Sequence, residues 1–388
     1  MRSTSRRIAI PALLATLLLL RCGAGREVVV GAVLSLSGEG AAYGQAIRQA
    51  MDLAVDRVNG SGGIGGNSLR ILYRDSKSSP EEAARAAVEL FDRYDVPLIF
   101  GGVLSSETLR IAPLAESRHK ILLSPASSSP EITRAGNHVF RVYPSDALEG
   151  AYMAQLASDE LHLARVTVLA IDNEFGRGIV SVFRNSFRGG PPPEVILYPA
   201  RGADFPALAE KAREARGDGI YLVGYYNDMA SLLKEIRKRS IPARILGTSS
   251  IGSARALEEA GEAAEGVVYP ATVFDPESDD PDVARFVRDF RARYGSDPDL
   301  YAAHGYDAVM VAAAAMQKAG GPVPERIVRE LLAIRDFHGA SGALSFDPEG
   351  DVVQYPRAFI VDEGKPRLFR DYLEEMRGRR EAAAPPIR

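Results

Sequence analysis

The stretch Pro97-Leu-Ile-Phe-Gly-Gly-Val-Leu-Ser-Ser-Glu-Thr108 and the later stretch Ile121-Leu-Leu-Ser-Pro-Ala-Ser-Ser-Ser-Pro130 share one pattern. In each, a short apolar run ends at turn residues and is followed by hydroxyl side chains, and a helical segment lies between the two runs. This pattern predicts a buried βαβ unit with parallel strands. Because the carboxyl ends of parallel strands meet at one sheet edge, where open α/β sheets bind ligands, we expect both hydroxyl clusters there.

These hydroxyl clusters suit a polar head group. Serine hydroxyls and the backbone amides of a helix N-terminus bind a carboxylate well. Either cluster alone has an ordinary explanation, because Ser105 or Ser106 could cap its helix and residues 127–129 could form a simple turn. Their predicted meeting at one edge is what indicates a small-molecule site.

Length and composition favour a globular protein of two domains. The chain has 388 residues, which is too many for one core, and 46% of them are hydrophobic while 25% are charged. The net charge of −4 gives no reason to expect nucleic-acid binding. The five histidines are scattered without metal-ligand spacing, so neither a metal nor a cofactor is predicted.

The N-terminus has the pattern of an export signal. Three arginines precede the almost wholly apolar run 8–20, which is short for a membrane-spanning helix. Cys22 follows at once and is the only cysteine, so residues 1–25 resemble a bacterial lipoprotein signal in which this cysteine is lipidated. Arg21 stands where such signals have a small residue, and ordinary cleavage near Ala24 is the alternative.

After the signal, strands and helices alternate in two series. The first series runs from Glu27 to Tyr143 and the second begins at Asp146. Three strands of the second series end in loops that are polar or aromatic, at residues 172–176, 224–227 and 247–250. These loops predict a second polar edge, which faces the first.

Several short motifs occur in a fixed order along the chain. They are Ala42-Tyr-Gly44, Val58-Asn-Gly-Ser-Gly-Gly-Ile-Gly-Gly66, Asp75-Ser-Lys-Ser-Ser-Pro80, Ser124-Pro-Ala-Ser-Ser-Ser-Pro-Glu-Ile-Thr133, Phe140-Arg141, Asp204-Phe205 and Ala263-Ala-Glu-Gly-Val267. In this order and spacing the chain resembles the periplasmic leucine/isoleucine/valine-binding proteins, the type I solute-binding components of ABC importers.

This resemblance implies an α/β fold of two doubly wound parallel-sheet lobes, joined by a three-crossing hinge, with ligand in the cleft between them. Lobe 1 would comprise residues 27–145 plus 273–350, and lobe 2 would comprise residues 146–272 plus 351–375. Residues 376–388, which are charged and then rich in alanine and proline, are expected to form a disordered tail.

The resemblance also implies the first-lobe site residues. Ser105 and Ser128 would offer hydroxyls, and Ala126 a backbone carbonyl, to the head group of an amino acid. Tyr43 would line the pocket for its side chain.

In the second lobe, the resemblance places Phe175 where a tyrosine is usual and matches Tyr225 to a tyrosine of the family. The family's acid that faces the ligand ammonium falls at Ser249, and a buried ammonium without a counter-charge is costly. Another carboxylate could take its place, and three acids lie in loops at the predicted edge: Asp172, Glu174 and Asp228.

The hydroxyl loops and the resemblance both indicate a non-catalytic binder, and the resemblance implies that the ligand is a branched-chain or other apolar amino acid. Its partners would be the permease and ATPase of an ABC importer, with membrane attachment only through the lipid on Cys22. A binder of a small carboxylate or amide without an amine is one alternative, and a soluble ligand-sensing module acting through a partner is another. An enzyme is disfavoured, because no Gly-x-Ser-x-Gly elbow occurs and the glycines of 60–66 do not join a strand to a helix.

Overall fold

A computed structural model describes residues 27–272 and 274–383 as two α/β lobes. The predicted export signal and Cys22 lie outside the described residues. Lobe 1 is built on a sheet of five parallel strands, which are β1 (Val28–Leu34), β2 (Leu69–Asp75), β3 (Leu98–Gly101), β4 (Ile121–Ser124) and β5 (Val139–Arg141). Their order in the sheet is β2-β1-β3-β4-β5.

The register of the first sheet confirms the predicted βαβ unit. Phe100 of β3 pairs with Leu123 of β4, so both strands end at the same level. The helices that connect strands β1 to β4 are α1 (Ala41–Gly60), α2 (Pro80–Val88) and α3 (Ser105–Ser117). Helix α1 buries the apolar face that its 3.6-residue period predicts, which includes Ile47, Met51, Ala54 and Val58.

The second lobe continues the alternation of strands and helices. Its elements in chain order are α4 (Asp146–Gln155), β6 (Val166–Ile171), α5 (Glu174–Ser186), β7 (Glu194–Tyr198), α6 (Phe205–Ala215), β8 (Gly219–Val223), α7 (Tyr226–Lys238), β9 (Arg244–Gly247), α8 (Ala254–Ala260) and β10 (Val268–Ala271). A short 3-10 turn, Ser249–Gly252, follows β9.

The chain then returns to lobe 1 and crosses a third time. The elements of the return are α9 (Pro281–Tyr294), α10 (Leu300–Lys318), α11 (Pro324–Leu332) and a hairpin of β11 (Phe337–Gly339) and β12 (Gly342–Leu344). Helix α10 packs on α1. Asp351 still bridges to Arg141 beside the first sheet, so the last crossing follows Val352.

The final elements complete the second sheet. They are β13 (Arg357–Asp362), β14 (Lys365–Leu368) and α12 (Phe369–Ala383). The sheet order is β14-β13-β10-β9-β8-β6-β7, and β13 runs antiparallel to both of its neighbours. The sequence did not predict β14, because its Lys-Pro-Arg-Leu pattern lacks apolar alternation, although an edge strand tolerates its proline.

The structure differs from the prediction at the C-terminus. Helix α12 continues to Ala383, so it replaces the disorder expected for residues 376–383. A carboxylate on Glu375 forms ion pairs with Arg379, one turn further along the helix, and with Arg367 of β14. These pairs attach the charged segment to the edge of the sheet.

Candidate functional site

The two hydroxyl loops of lobe 1 meet at the sheet edge, as the parallel-strand argument predicted. The Ser124 Oγ donates to the Gly102 carbonyl at 2.9 Å, and the Ser127 Oγ donates to the same carbonyl at 3.0 Å. The Thr108 and Ser127 hydroxyls lie 2.6 Å apart. These three side chains join the loops to each other, which leaves Ser105 and Ser128 as the candidates for a ligand.

Both predicted head-group serines are buried and already hold one partner. The Ser105 Oγ accepts from the Ser129 amide at 3.1 Å, and the Ser128 Oγ donates to the Asp146 Oδ2 at 2.9 Å. Ser105 therefore keeps its own hydrogen for an acceptor, and Ser128 keeps lone pairs for a donor. Ala126 is buried in the same loop.

A buried carboxylate fixes the start of α3, which carries Ser105. Glu107 accepts from the hydroxyls of Ser35 and Ser76 and from the amides of Val103 and Leu104, at 2.6–3.1 Å. Burial raises the pKa of Glu107, while these four hydrogen bonds act to lower it. The four donors join the ends of β1, β2 and β3, so this acid has a structural role in lobe 1.

Tyr43 lies where the two lobes touch. Its hydroxyl accepts from the Tyr226 amide of lobe 2 at 2.7 Å, and its ring lies 4.4 Å from the ring of Tyr301 on α10. The backbone of α1 approaches Ser35 closely at the residue after this tyrosine. Only a glycine fits there, because a Cβ on Gly44 would lie 2.0 Å from the Ser35 carbonyl oxygen. Sequence reasoning missed Tyr301, whose position depends on the late return of the chain to lobe 1.

The predicted aromatic residues of lobe 2 lie together. The rings of Phe175 and Tyr225 stack with centroids 5.8 Å apart. The Tyr225 hydroxyl accepts from the Asn173 side-chain amide at 2.9 Å, which fixes the ring. The carbonyl of Glu174 accepts from the Ser129 Oγ of lobe 1 at 3.2 Å, so this aromatic pair directly adjoins the first-lobe hydroxyl loop.

Ser249 contacts a carboxyl group that the sequence analysis did not single out. Its amide donates to the Glu149 Oε1 at 2.9 Å, and its hydroxyl accepts from the Tyr143 hydroxyl at 2.9 Å. Burial raises the pKa of Glu149 to about 7, and the amide and hydroxyl of Ser249 oppose this shift. A small cavity of about 10 Å³, roughly the room of one water molecule, adjoins Glu149 and Tyr143.

A second buried acid, Asp146, lies one turn before Glu149 on α4. Burial raises the pKa of Asp146 well above its ordinary value, and the charge of Glu149 raises it further. The hydroxyl of Ser128 and the charge of Arg141 act in the opposite direction. The two acids therefore connect the first-lobe hydroxyl loop with the turn at Ser249.

Arg141 links the first-lobe hydroxyl loop to Asp351, which lies just before the last crossing between the lobes. Its side chain is fully buried and binds Asp351 through two hydrogen bonds, at 2.7 and 2.5 Å. The same guanidinium donates to the Ser129 carbonyl at 2.8 Å and to the Thr133 hydroxyl at 2.7 Å. Planar, bidentate geometry of this kind is characteristic of arginine with a carboxylate.

Two of the three acids that were predicted as ammonium partners lie on the exposed rim of lobe 2. The Asp172 side chain is 36% exposed and pairs at 2.6 Å with Arg177, whose side chain is 67% exposed. Glu174 is also exposed, and only its backbone carbonyl reaches lobe 1. The structure does not bring either carboxylate to the hydroxyl loops.

The third acid, Asp228, is buried at the start of α7. Its Oδ2 lies 3.4 Å from the Tyr225 amide and 3.4 Å from the Tyr198 hydroxyl. Burial raises the pKa of Asp228 to about 6. This carboxyl caps α7 beneath Tyr225, so it supports an aromatic residue of the site.

One open concavity lies away from the residues that join the lobes. It measures about 510 Å³ and lies on the outer face of lobe 2 between α5 and β7, lined by residues that include Arg177, Ser181, Arg184 and Leu197. It contains none of the residues that join the lobes.

In residues 27–272 and 274–383, histidine, cysteine and acidic side chains form no group of three or more suited to a metal ion. No helix of the same segments is long and apolar enough to cross a membrane.

The structure is that of a two-lobed α/β protein in which the polar loops at the two sheet edges meet. The profile of a family described as periplasmic binding proteins matches residues 27–362. The chain belongs to this family, and its relatives include leucine-, isoleucine- and valine-binding proteins.

Individual relatives cover most of the chain. A leucine-, isoleucine-, valine-, threonine- and alanine-binding protein of Pseudomonas aeruginosa is 26% identical over 324 residues, which cover 82% of this chain and 86% of that protein. A leucine-binding protein from Thermotoga maritima has a TM-score of 0.83 at 29% identity and covers 88% of this chain and 97% of its own. The substrate-binding protein of a branched-chain amino acid transporter from Streptococcus pneumoniae, solved with isoleucine, has a TM-score of 0.81 at 26% identity, with coverages of 88% and 98%.

Proposed function

We propose that this protein is the extracytoplasmic substrate-binding component of an ABC importer and binds a branched-chain or other apolar amino acid between its lobes. One observation carries the proposal: the Ser129 hydroxyl of the lobe 1 loop contacts the Glu174 carbonyl, next to the ring of Phe175. Head-group hydroxyls and an apolar surface are therefore adjacent. An amino acid with an apolar side chain needs both.

In the proposed complex, residues of both lobes contact the ligand. Ser105, Ser128 and the carbonyl of Ala126 bind the head group, and the rings of Tyr43, Phe175 and Tyr225 surround the side chain. Burying a valine, leucine or isoleucine side chain contributes about 1.5–3 kcal/mol, and each hydrogen bond to a charged group contributes about as much. Periplasmic binding proteins are a standard example of hinge closure around a ligand, and no chemical change of the ligand is proposed.

A small carboxylate or amide without an amine is the second candidate ligand. Ser249 favours it, because this serine occupies the position where the resemblance implies an acid. Calorimetry distinguishes these two candidate ligand classes. The ligand-free protein is titrated with leucine, isoleucine and valine, and then with their deaminated analogues. We expect the amino acids to bind more tightly. Binding of the deaminated analogues alone would refute the amino-acid assignment.

Replacing Ser105 with alanine should weaken binding of the amino acid by about tenfold or more, because a hydrogen bond to the charged head group is lost. Thermal stability should fall slightly as well, since the Ser129 amide loses its acceptor. Calorimetry gives the affinity and circular dichroism gives the melting temperature. The control is Ser117→Ala, at the exposed end of the same helix, which should change neither. An unchanged affinity of Ser105→Ala would mean that the head group binds elsewhere.

We also propose export of the protein to the periplasm or the outer face of the cytoplasmic membrane, with a lipid anchor on Cys22. The arginines and the apolar run before this cysteine support the proposal. Mass spectrometry of the mature N-terminus tests it. A free amine on any residue after Cys22 would exclude the anchor, and a retained Met1 would exclude export.

A further inference from the structure

We propose that Glu149 supplies the negative charge that binds the ligand's ammonium group, in place of the acid that is absent at Ser249. This inference rests on the proposed function, because it requires a ligand with an amine. The carboxyl group would then come from the first turn of α4 rather than from the loop after β9. None of Asp172, Glu174 and Asp228 would be needed for this role.

The first argument is position. The Glu149 Oε1 accepts from the Ser249 amide at 2.9 Å, so the carboxyl group lies directly beside the position of the missing acid. The Tyr143 hydroxyl, which donates to the Ser249 Oγ, closes the other side. A serine at 249 is short enough to leave this space to a side chain from α4, whereas a longer acid would occupy it.

The second argument is charge. Glu149 and Asp146 lie three residues apart on α4, and both are buried, with 7% and 1% exposure. In the described part of the chain neither forms an ion pair within 4.0 Å, and Arg141, the cation that acts on Asp146, is already bound to Asp351. The other titratable groups that respond to the charge of Glu149 are all tyrosines: Tyr143, Tyr221 and Tyr301.

Two buried carboxyl groups without a cation are costly, and the cost falls when a positive ligand group arrives. The ammonium group of an amino acid is such a group, and it carries three hydrogen-bond donors. Ser128 links this charge to the head-group loop, because its hydroxyl donates to the Asp146 Oδ2 at 2.9 Å. The acid pair and the head-group serines thus belong to one continuous polar region.

An independent observation supports a missing partner at this place. The Tyr221 hydroxyl and the Thr248 hydroxyl are both fully buried, and neither has a hydrogen-bond partner among the residues that the structure describes. Burial raises the pKa of Tyr221 first, and the charges of Glu149 and Asp146 raise it further, so its hydroxyl lies within their electrostatic reach. Thr248 directly precedes Ser249. Unpaired polar groups therefore flank the acid pair on two elements of lobe 2.

The decisive variant is Glu149→Gln, which keeps the shape of the side chain and an acceptor for the Ser249 amide. Calorimetry is performed with leucine and with 4-methylpentanoate, its analogue without the amine. We expect the affinity for leucine to fall about a hundredfold, because the ammonium loses its charged partner. The affinity for 4-methylpentanoate should stay the same or rise, because no buried charge then opposes its carboxylate. Asp172→Asn, which changes an exposed acid of the same lobe, should alter the leucine affinity less than twofold.

A rescue variant separates a binding role from a structural one. The double variant Glu149→Ala with Ser249→Glu empties the space beside residue 249 and moves the acid to the position that the resemblance implies, and it should recover leucine affinity to within about tenfold of the unmodified protein. Unchanged leucine affinity in Glu149→Gln, with melting showing a folded protein, would overturn the inference and leave the proposed function intact. Failure of the unmodified protein to bind any amino acid, while 4-methylpentanoate binds, would overturn both.

Discussion

Replacing Asp351 with asparagine will lower the free energy of unfolding by about 3–5 kcal/mol, because the substitution leaves the Arg141 guanidinium buried without its counter-charge. The side chain of Arg141 has no solvent exposure and that of Asp351 has 10%, so water cannot replace the lost partner. Arg141 also holds the Ser129 carbonyl, so the loss extends to the loop that carries Ser128. Thermal melting followed by circular dichroism measures the effect.

A second ion pair provides the matched control. Asp362 lies 2.9 Å from Arg367, and these side chains are 26% and 33% exposed. Asp362→Asn should cost no more than about 1 kcal/mol, because partly exposed pairs are screened by solvent. If Asp351→Asn and Asp362→Asn melt at the same temperature, the buried pair contributes no more to the free energy of unfolding than the partly exposed pair. That result would contradict the prediction.

Replacing Glu149 with glutamine will stabilise the ligand-free protein at alkaline pH, by about 3 kcal/mol at pH 8. Burial raises the pKa of this carboxyl from 4.5 to about 7. Between these values the folded protein holds a proton that the unfolded chain has released, so stability falls as pH rises through this range. The fall levels off about one pH unit above the folded-state pKa of about 7. Glutamine carries no such charge, and the benefit of the substitution should therefore vanish near pH 4.5.

Melting temperatures of both proteins from pH 4.5 to pH 8, without ligand, measure this difference. The control is Glu258→Gln, whose carboxylate is 70% exposed beside Arg255 and should show no comparable pH dependence. A difference between Glu149→Gln and the unmodified protein that is constant with pH would show that the carboxyl titrates normally. The same substitution is expected to weaken leucine binding. The loss of one carboxylate charge would therefore raise the stability of the ligand-free protein and lower its affinity for leucine.

The meeting of the hydroxyl loops could be predicted because it follows from local rules. Parallel strands that end at the same level place Gly102 and Ser124 side by side, and the sequence shows where each strand ends. The stacking of Phe175 on Tyr225 follows in the same way from two strands of lobe 2 that are adjacent to each other in the sheet.

The acid pair could not be predicted in this way. Glu149 and Ser249 are 100 residues apart, and their contact depends on how α4 packs after the first crossing. An acid in the first turn of a helix is also ordinary, because it interacts favourably with the helix dipole. The rule that places loops at a sheet edge selected Asp172 and Glu174 instead, but it does not distinguish the buried side of that edge from its exposed rim.

The bonds that the lobes make with each other have a consequence for affinity. The Tyr226 amide with the Tyr43 hydroxyl, and the Tyr143 hydroxyl with Ser249, connect the lobes without involving any ligand atom. We expect these bonds to increase the population of the closed conformation in the absence of ligand, and apparent affinity to rise in proportion to that population. The gain is the same for every ligand, so these tyrosines strengthen all binding while leaving the ratios between competing solutes unchanged.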